Sequence, residues 1–156
     1  MIQRIIIAHD YIEGSASSNR IMCFAKGYRD NGKDVHLMLF TSLKSQAPKI
    51  EGVRIEVFCE PDIPLKVTRR LIGISRYVKA IKNKYQPGNS VIHIYRTPWW
   101  GCFFNKKKYN FFYERGEVPF YSTSQSIVYK LQEFIGRKEA KKATGLLAQT
   151  HSLKKY

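Results

Sequence analysis

The sequence predicts an α/β protein: a doubly wound, mostly parallel sheet with helices on both faces. Three observations carry that expectation. Ile5-Ile6-Ile7 is a continuous β-branched run, which suits a strand buried on both faces. Ile21, Phe24, Ala25 and Tyr28 follow at i, i+3, i+4 and i+7, the spacing of an amphipathic helix. Strand-like and helix-like segments then alternate along the chain, and such alternation implies right-handed βαβ units.

The elements follow in order. Gly32 closes the first helix, glycine being best able to take the left-handed cap. Residues 35–41 read as a second buried strand, and 42–52, with Pro48, as a loop. Residues 53–58 alternate apolar and polar with period two, as an edge strand exposed on one side does. Pro61 and Pro64 lead into a long helix over 65–85, with Val67, Leu71, Ile74, Val78, Ile81 and Tyr85 as its inward stripe. Pro87-Gly88 stops it. Strands are expected at 91–95, 109–113 and 145–150. A helix is expected over 124–143, with Ile127, Leu131, Phe134 and Ile135 inward. The chain ends at Tyr156 inside an element barely begun, which suggests one half of something larger.

The segment from Ala8 to Arg20 organises the rest, because it is the turn from first strand to first helix. In an open α/β sheet, ligands bind at the carboxyl ends of strands. Gly14 lets a ligand approach the backbone, Ser15 and Ala16 add no bulk, and Ser17 or Ser18 can cap the helix. The first-turn N–H groups then point outward with the positive end of the helix dipole, forming a phosphate seat. A plain βα turn with one necessary glycine explains the same residues. Neither G-x-G-x-x-G nor G-K-[ST] occurs, so no dinucleotide fingerprint or Walker loop is present. His9 and Asp10 stand at the rim of the same strand, where His9 is either a base or a hydrogen-bonded structural group.

Two other loops lie at strand carboxyl ends and are expected to open on the same crevice. In residues 95–101, Arg96 among Trp99 and Trp100 could hold a phosphate or sugar by bidentate bonds and stacking, or the aromatics could simply plug the strand end. In residues 113–120, Glu114 and Glu117 could orient a hydroxyl or take its proton. Alternatively, Glu114 pairs with Arg115 or Arg96 and only shapes the loop.

Composition narrows the classes. The 156 residues suffice for one domain with a core, and 44% apolar content is that of a globular protein. No apolar run reaches a membrane span and no signal peptide opens the chain, so the expected location is cytoplasmic. Cys23, Cys59 and Cys102 are widely spaced in apolar or aromatic surroundings and read as reduced core thiols; no metal-ligand spacing accompanies them. The charge is unusual: 27 Lys plus Arg against 12 Asp plus Glu give a formal +15, which attracts polyanions. Within 65–85, Lys66, Arg69, Arg70, Arg76, Lys79, Lys82 and Lys84 occur without one acidic residue. Such a face is either solvated surface or a dock for an anionic partner such as an acidic membrane.

These residues resemble the opening of family 4 glycosyltransferases: Ile5-Ile-Ile-Ala-His-Asp-Tyr, Gly14-Ser-Ala-Ser-Ser-Asn19-Arg20-Ile, Ala25-Lys26-Gly27-Tyr28 and Gly32-Lys-Asp-Val35. Tyr28 replaces the usual leucine. Tyr113-Glu114-Arg115-Gly-Glu117-Val-Pro119 is similar to the loop before the fifth helix of bacterial members. Ala143-Thr-Gly-Leu-Leu-Ala-Gln-Thr150, with Leu153-Lys-Lys-Tyr156, is similar to a later segment in which Thr144 replaces an acidic residue. The resemblance spans the whole chain as the amino-terminal, acceptor-binding domain of a GT-B architecture of two Rossmann-like halves.

It implies a retaining, nucleotide-sugar-dependent hexosyltransferase of bacterial surface polysaccharide or glycolipid synthesis, with the donor half absent and the fragment alone inactive. It implies donor-diphosphate contacts at Gly14, Ser15 and Ala16, and acceptor contacts at Arg96, Trp99, Trp100 and Arg115. The catalytic candidates are Glu114, Glu117 and His9, although members are usually assigned no conventional base. It implies no metal and no cofactor beyond the nucleotide sugar as substrate, and a sugar or lipid-linked acceptor. It also implies peripheral docking on the inner face of the cell membrane through Lys66, Arg69, Arg70, Arg76 and Lys79. The alternative is a stand-alone basic α/β module that binds nucleic acid through the charge and the tryptophans. That reading leaves Gly14, Arg96 and Glu117 at one sheet edge unexplained, so nucleic acid is not the expected partner.

Overall fold

The computed structural model of the protein describes residues 2–41, 48–95, 102–115, 134, 138 and 141–148. It has an α/β, Rossmann-like fold. The chain divides into two compact units, residues 1–92 and 93–156.

The first unit contains β1 (Arg4–Asp10), α1 (Ala16–Asp30), β2 (Asp34–Thr41), β3 (Arg54–Cys59), α2 (Lys66–Lys84) and the start of β4 (Ser90–Tyr95). Its strand order is β3-β2-β1-β4. β1 pairs parallel with β2 in the register Ile6↔His36, and β2 pairs parallel with β3 in the register His36↔Arg54. The amides of Gln3 and Arg4 both donate to Asn89 O, which fixes the return of the chain beside β1. The β1-α1-β2 crossover runs one way from β1, and β3-α2-β4 runs back past it. Right-handed crossovers therefore place α1 and α2 on opposite faces. β1 is thus the strand at which the order reverses.

Burial follows the periodicities. Ile5 to Ala8 and Val35 to Phe40 form the doubly covered centre, while β3 is only half covered, as an edge strand is. Gly32 has φ 72° just past the α1 cap residue Asn31, and its amide donates to Arg29 O. That is the expected left-handed stop. Tyr77 is fully buried from α2, with Phe40 and Phe58 at 5.4 and 5.5 Å between ring centroids.

Three expectations need correction here. β1 runs through Asp10, so His9 and Asp10 belong to the strand rather than to the turn. The inward stripe of α2 begins later than its periodicity suggests: Gly73, Ile74, Tyr77, Val78 and Ile81 are buried, whereas Leu65, Val67 and Leu71 are 69%, 73% and 61% exposed. Helical spacing shows which residues share a face but not how far along the helix that face is covered. Finally, Cys23 and Cys102 are exposed rather than core thiols, since Cys23 falls on the outer side of α1.

The second unit contains the end of β4, then β5 (Phe111–Arg115) and β6 (Gly145–Ala148), in the order β4-β5-β6. β5 and β6 are parallel, with Phe112↔Gly145 in register. Residues 134 and 138 are helical. β5 starts two residues later than expected, because Tyr109 is held in a turn by its amide bond to Asn105 O. Phe134 was expected inward and is 66% exposed.

The amino edge of the first unit carries a charge cluster around the buried His36. Arg4 Nε donates to Asp34 Oδ2 at 2.8 Å, and Arg54 Nη1 donates to His36 Nε2 at 3.3 Å. The same His36 Nε2 lies 3.4 Å from Asp34 Oδ2, so the ring stands between the two charges. Burial chiefly holds the His36 pKa below its ordinary value, with the charges of Arg4 and Arg54 adding to the effect and Asp34 opposing it. Burial pushes Asp34 the other way, but Arg4, His36 and Arg54 outweigh it and leave its carboxyl below the usual range. Unfolded His36 takes up its proton at the ordinary pH, and the folded ring does so only lower. The unfolded chain therefore binds more protons in that window, and stability falls as pH falls. In urea denaturation between about pH 7 and 5, His36→Gln is expected to flatten this decline. Equal slopes in the two proteins would refute the assignment.

Candidate functional site at the start of α1

The turn after β1 is built by a chain of serines. Gly14 has φ 72°, a conformation in which a side chain is strained, and no atom lies within 4 Å of where its Cβ would be. It turns the backbone so that Ser15, with φ −72° and ψ 148°, caps α1. Ser15 Oγ accepts from Ser18 N at 3.2 Å, and Ser15 N donates to Ile12 O at 3.2 Å. The cap is therefore Ser15, and the helix begins at Ala16, earlier than the expected Ser17 or Ser18 cap. Those two serines are buried and do other work.

Ser18 Oγ accepts from Ile12 N at 3.1 Å and from Ser15 Oγ at 3.0 Å. Both lone pairs are then used, so its own hydroxyl hydrogen points to His9 Nε2, 3.2 Å away. His9 is 1% exposed, and its amide donates to Tyr77 Oη at 3.0 Å. His9 is thus a buried, hydrogen-bonded group that holds the turn, rather than one open to solvent at the rim. Its position in the strand, one residue inside the carboxyl end, removes it from solvent.

The cap leaves the first amides of α1, at Ala16 and Ser17, pointing out of the helix end, as at every helix start. Gly14 and Ala16 are exposed and Ser15 half-buried, and no acidic residue occupies the first turn. The arrangement can take an anion on N–H groups and the positive dipole end. It stands at the carboxyl edge of the strand where the order reverses, the place where α/β sheets bind ligands.

A second polar group lies at the same edge of this unit. Glu60, just after β3, is buried between two arginines of α2: Arg69 Nε at 3.0 Å and Arg70 Nη1 at 2.9 Å. Burial pushes the Glu60 carboxyl up, but the bonds and charges of Arg70 and Arg69 outweigh it and hold its pKa below the usual range. The Arg70 guanidinium also lies 4.6 Å from the centre of the Phe40 ring and 3.9 Å from Asp10 Oδ1. Gly73 allows this approach, since a Cβ there would meet the Phe40 ring at 3.2 Å. Arg69 and Arg70 therefore pair within the fold, and Lys84 pairs with Glu56 at 2.7 Å. The all-positive helix of the sequence is partly neutralised by acids from other elements. Lys66, Arg76 and Lys79 remain exposed on it.

In the second unit Glu114 is 2% exposed and 3.1 Å from His93 Nε2, itself fully buried and stacked on Phe112 at 4.4 Å. Glu114 is thus held from the neighbouring strand by His93, a partner in addition to the expected Arg115 or Arg96, whose side chains lie outside the described residues. Both sit in apolar strand runs, V-I-H-I-Y and F-F-Y-E-R, and a polar residue in such a run demands a partner. That signal was present in the sequence. Arg115 lies in β5, but its side chain is outside the described residues, as are Arg96, Trp99, Trp100 and Glu117.

Among the described residues no three His, Cys, Asp or Glu side chains gather as metal ligands, and no helix is long and apolar enough to cross a membrane. Comparison with family models, with curated proteins and with solved structures gives no match.

Proposed function

We propose that this chain is the amino-terminal half of a nucleotide-sugar-dependent retaining glycosyltransferase, and that it seats the donor diphosphate at the start of α1. The observation that carries the reading is the exposed Gly14-Ser15-Ala16 turn, capped from within by Ser15 and braced from beneath by Ser18 and His9. A preorganised turn of this kind binds phosphate at little ordering cost. The acceptor is a sugar or lipid-linked sugar. The start of α2, with Leu65, Val67 and Leu71 exposed beside Lys66, supports docking on an anionic bilayer.

The seat is tested by Ala16→Pro. Proline is tolerated at the first helical position, and Ser15 already has the extended backbone that a following proline requires. The variant keeps the fold and loses one donor N–H. In an NMR titration with a nucleoside diphosphate, the amides of Gly14 to Ser17 are expected to shift in the wild type. Ala16→Pro is expected to weaken binding about tenfold, the value of one hydrogen bond to a charged group. Saturating shifts elsewhere, with residues 14–17 unmoved, would remove the seat.

A further inference from the structure

We infer that the second unit carries its own contact for an anionic bilayer, formed by Lys106, Lys107, Lys108, Lys138, Lys141 and Lys142 together with Phe134. The inference extends the membrane docking proposed above but uses none of the residues of α2. It begins with one backbone bond: Thr144 N donates to Phe111 O at 2.8 Å, which brings the start of β6 beside the start of β5. The run 106–108 precedes one of those strand starts and the run 141–142 precedes the other. Both therefore flank the amino edge of the β5–β6 pair.

The first run is presented by a fixed turn. Asn105 Oδ1 accepts from Lys107 N at 3.0 Å, and Asn105 O accepts from Lys108 N and Tyr109 N at 2.8 and 2.9 Å. The turn is anchored by buried Phe104, which meets the Tyr109 and Phe111 rings at 5.6 and 6.4 Å. All six lysines are exposed. Among the described residues Lys106, Lys107, Lys108, Lys138 and Lys141 have no ion-pair partner, and neither run contains an acidic residue. Arg137 and Glu139, which the sequence adds between Lys138 and its neighbours, cancel in formal charge. Adjacent like charges repel, so the cluster is stabilised by a polyanion.

The chemistry favours lipid as that polyanion. Phe134 is 66% exposed, four residues before Lys138, where a bulky apolar group gains only by leaving water. Lysine offers a compact, freely rotating charge suited to diffuse headgroups; among the described members there is no arginine fork of the sort that reads phosphate bidentately. Clusters of four to eight basic residues are of the size that binds acidic lipid.

The test is sedimentation of the protein with vesicles of equal parts phosphatidylcholine and phosphatidylglycerol, below and above about 0.15 M salt. K106Q/K107Q/K108Q is expected to lower partitioning by roughly 100-fold at low salt and far less at high salt. F134S is expected to weaken the salt-resistant part. Circular dichroism verifies the fold of each variant. L65S/V67S/L71S, run in parallel, reports on α2 alone. If the lysine variant partitions like the wild type while the α2 variant does not bind, the inference fails and docking through α2 stands. If the α2 variant binds fully and the lysine variant does not, the reverse holds. If the wild type ignores the vesicles and binds an oligonucleotide with a steep salt slope lost in the lysine variant, the edge serves nucleic acid and the inference is overturned.

Discussion

His93→Leu is expected to lower the unfolding free energy by about 3 kcal/mol, as removal of one partner from a buried polar pair does. The imidazole and the Glu114 carboxylate have almost no access to water, so the 3.1 Å contact between them cannot be replaced by solvent. The substitution also deletes the stack on Phe112. Replacing both members is a different matter. His93→Leu combined with Glu114→Leu leaves no buried carboxylate and is expected to recover most of the loss, giving a large favourable coupling in the double-mutant cycle. Urea denaturation followed by circular dichroism measures all the corners of the cycle. Additive losses would mean that Glu114 and His93 act separately. For function, the pair withholds Glu114 from solvent, so an acid–base role for Glu114 in transfer would first require breaking it.

Tyr77→Phe is expected to cost about 2 kcal/mol, the value of the two buried hydrogen bonds its hydroxyl makes. The hydroxyl accepts from His9 N at 3.0 Å and donates to Met38 O at 2.9 Å, bridging neighbouring strands from the helix above them. Burial pushes the phenol pKa well up, and the charge of Asp10 adds to it, so the group stays protonated and keeps donating. The cost is therefore the same at neutral and mildly alkaline pH. The bridge has a further consequence, because His9 also holds Ser18 and through it the start of α1. Amide exchange at residues 15–18 is expected to rise in Tyr77→Phe, and the affinity of the phosphate seat to fall with it. Unchanged exchange there would separate the bridge from the seat.

What the sequence determined by itself is the succession of elements. Ile5-Ile6-Ile7, the helical spacing from Ile21 to Tyr28, Gly32 and Pro87-Gly88 are local signals, and each produced the strand, helix or stop it indicates. Periodicity and conformational freedom depend on near neighbours, so a linear reading suffices. The candidate phosphate turn was legible for the same reason, apart from which serine caps it. The tertiary structure decided the partners. Glu60 between Arg69 and Arg70, Glu114 on His93 and His9 on Ser18 and Tyr77 depend on strand register and helix placement, which local periodicity does not encode. It also decided where apolar stripes leave the core, at Leu71 and at Phe134. A polar or apolar side chain shows its chemistry in the sequence, but whether that chemistry is satisfied inside or left facing outward depends on what the fold sets opposite it.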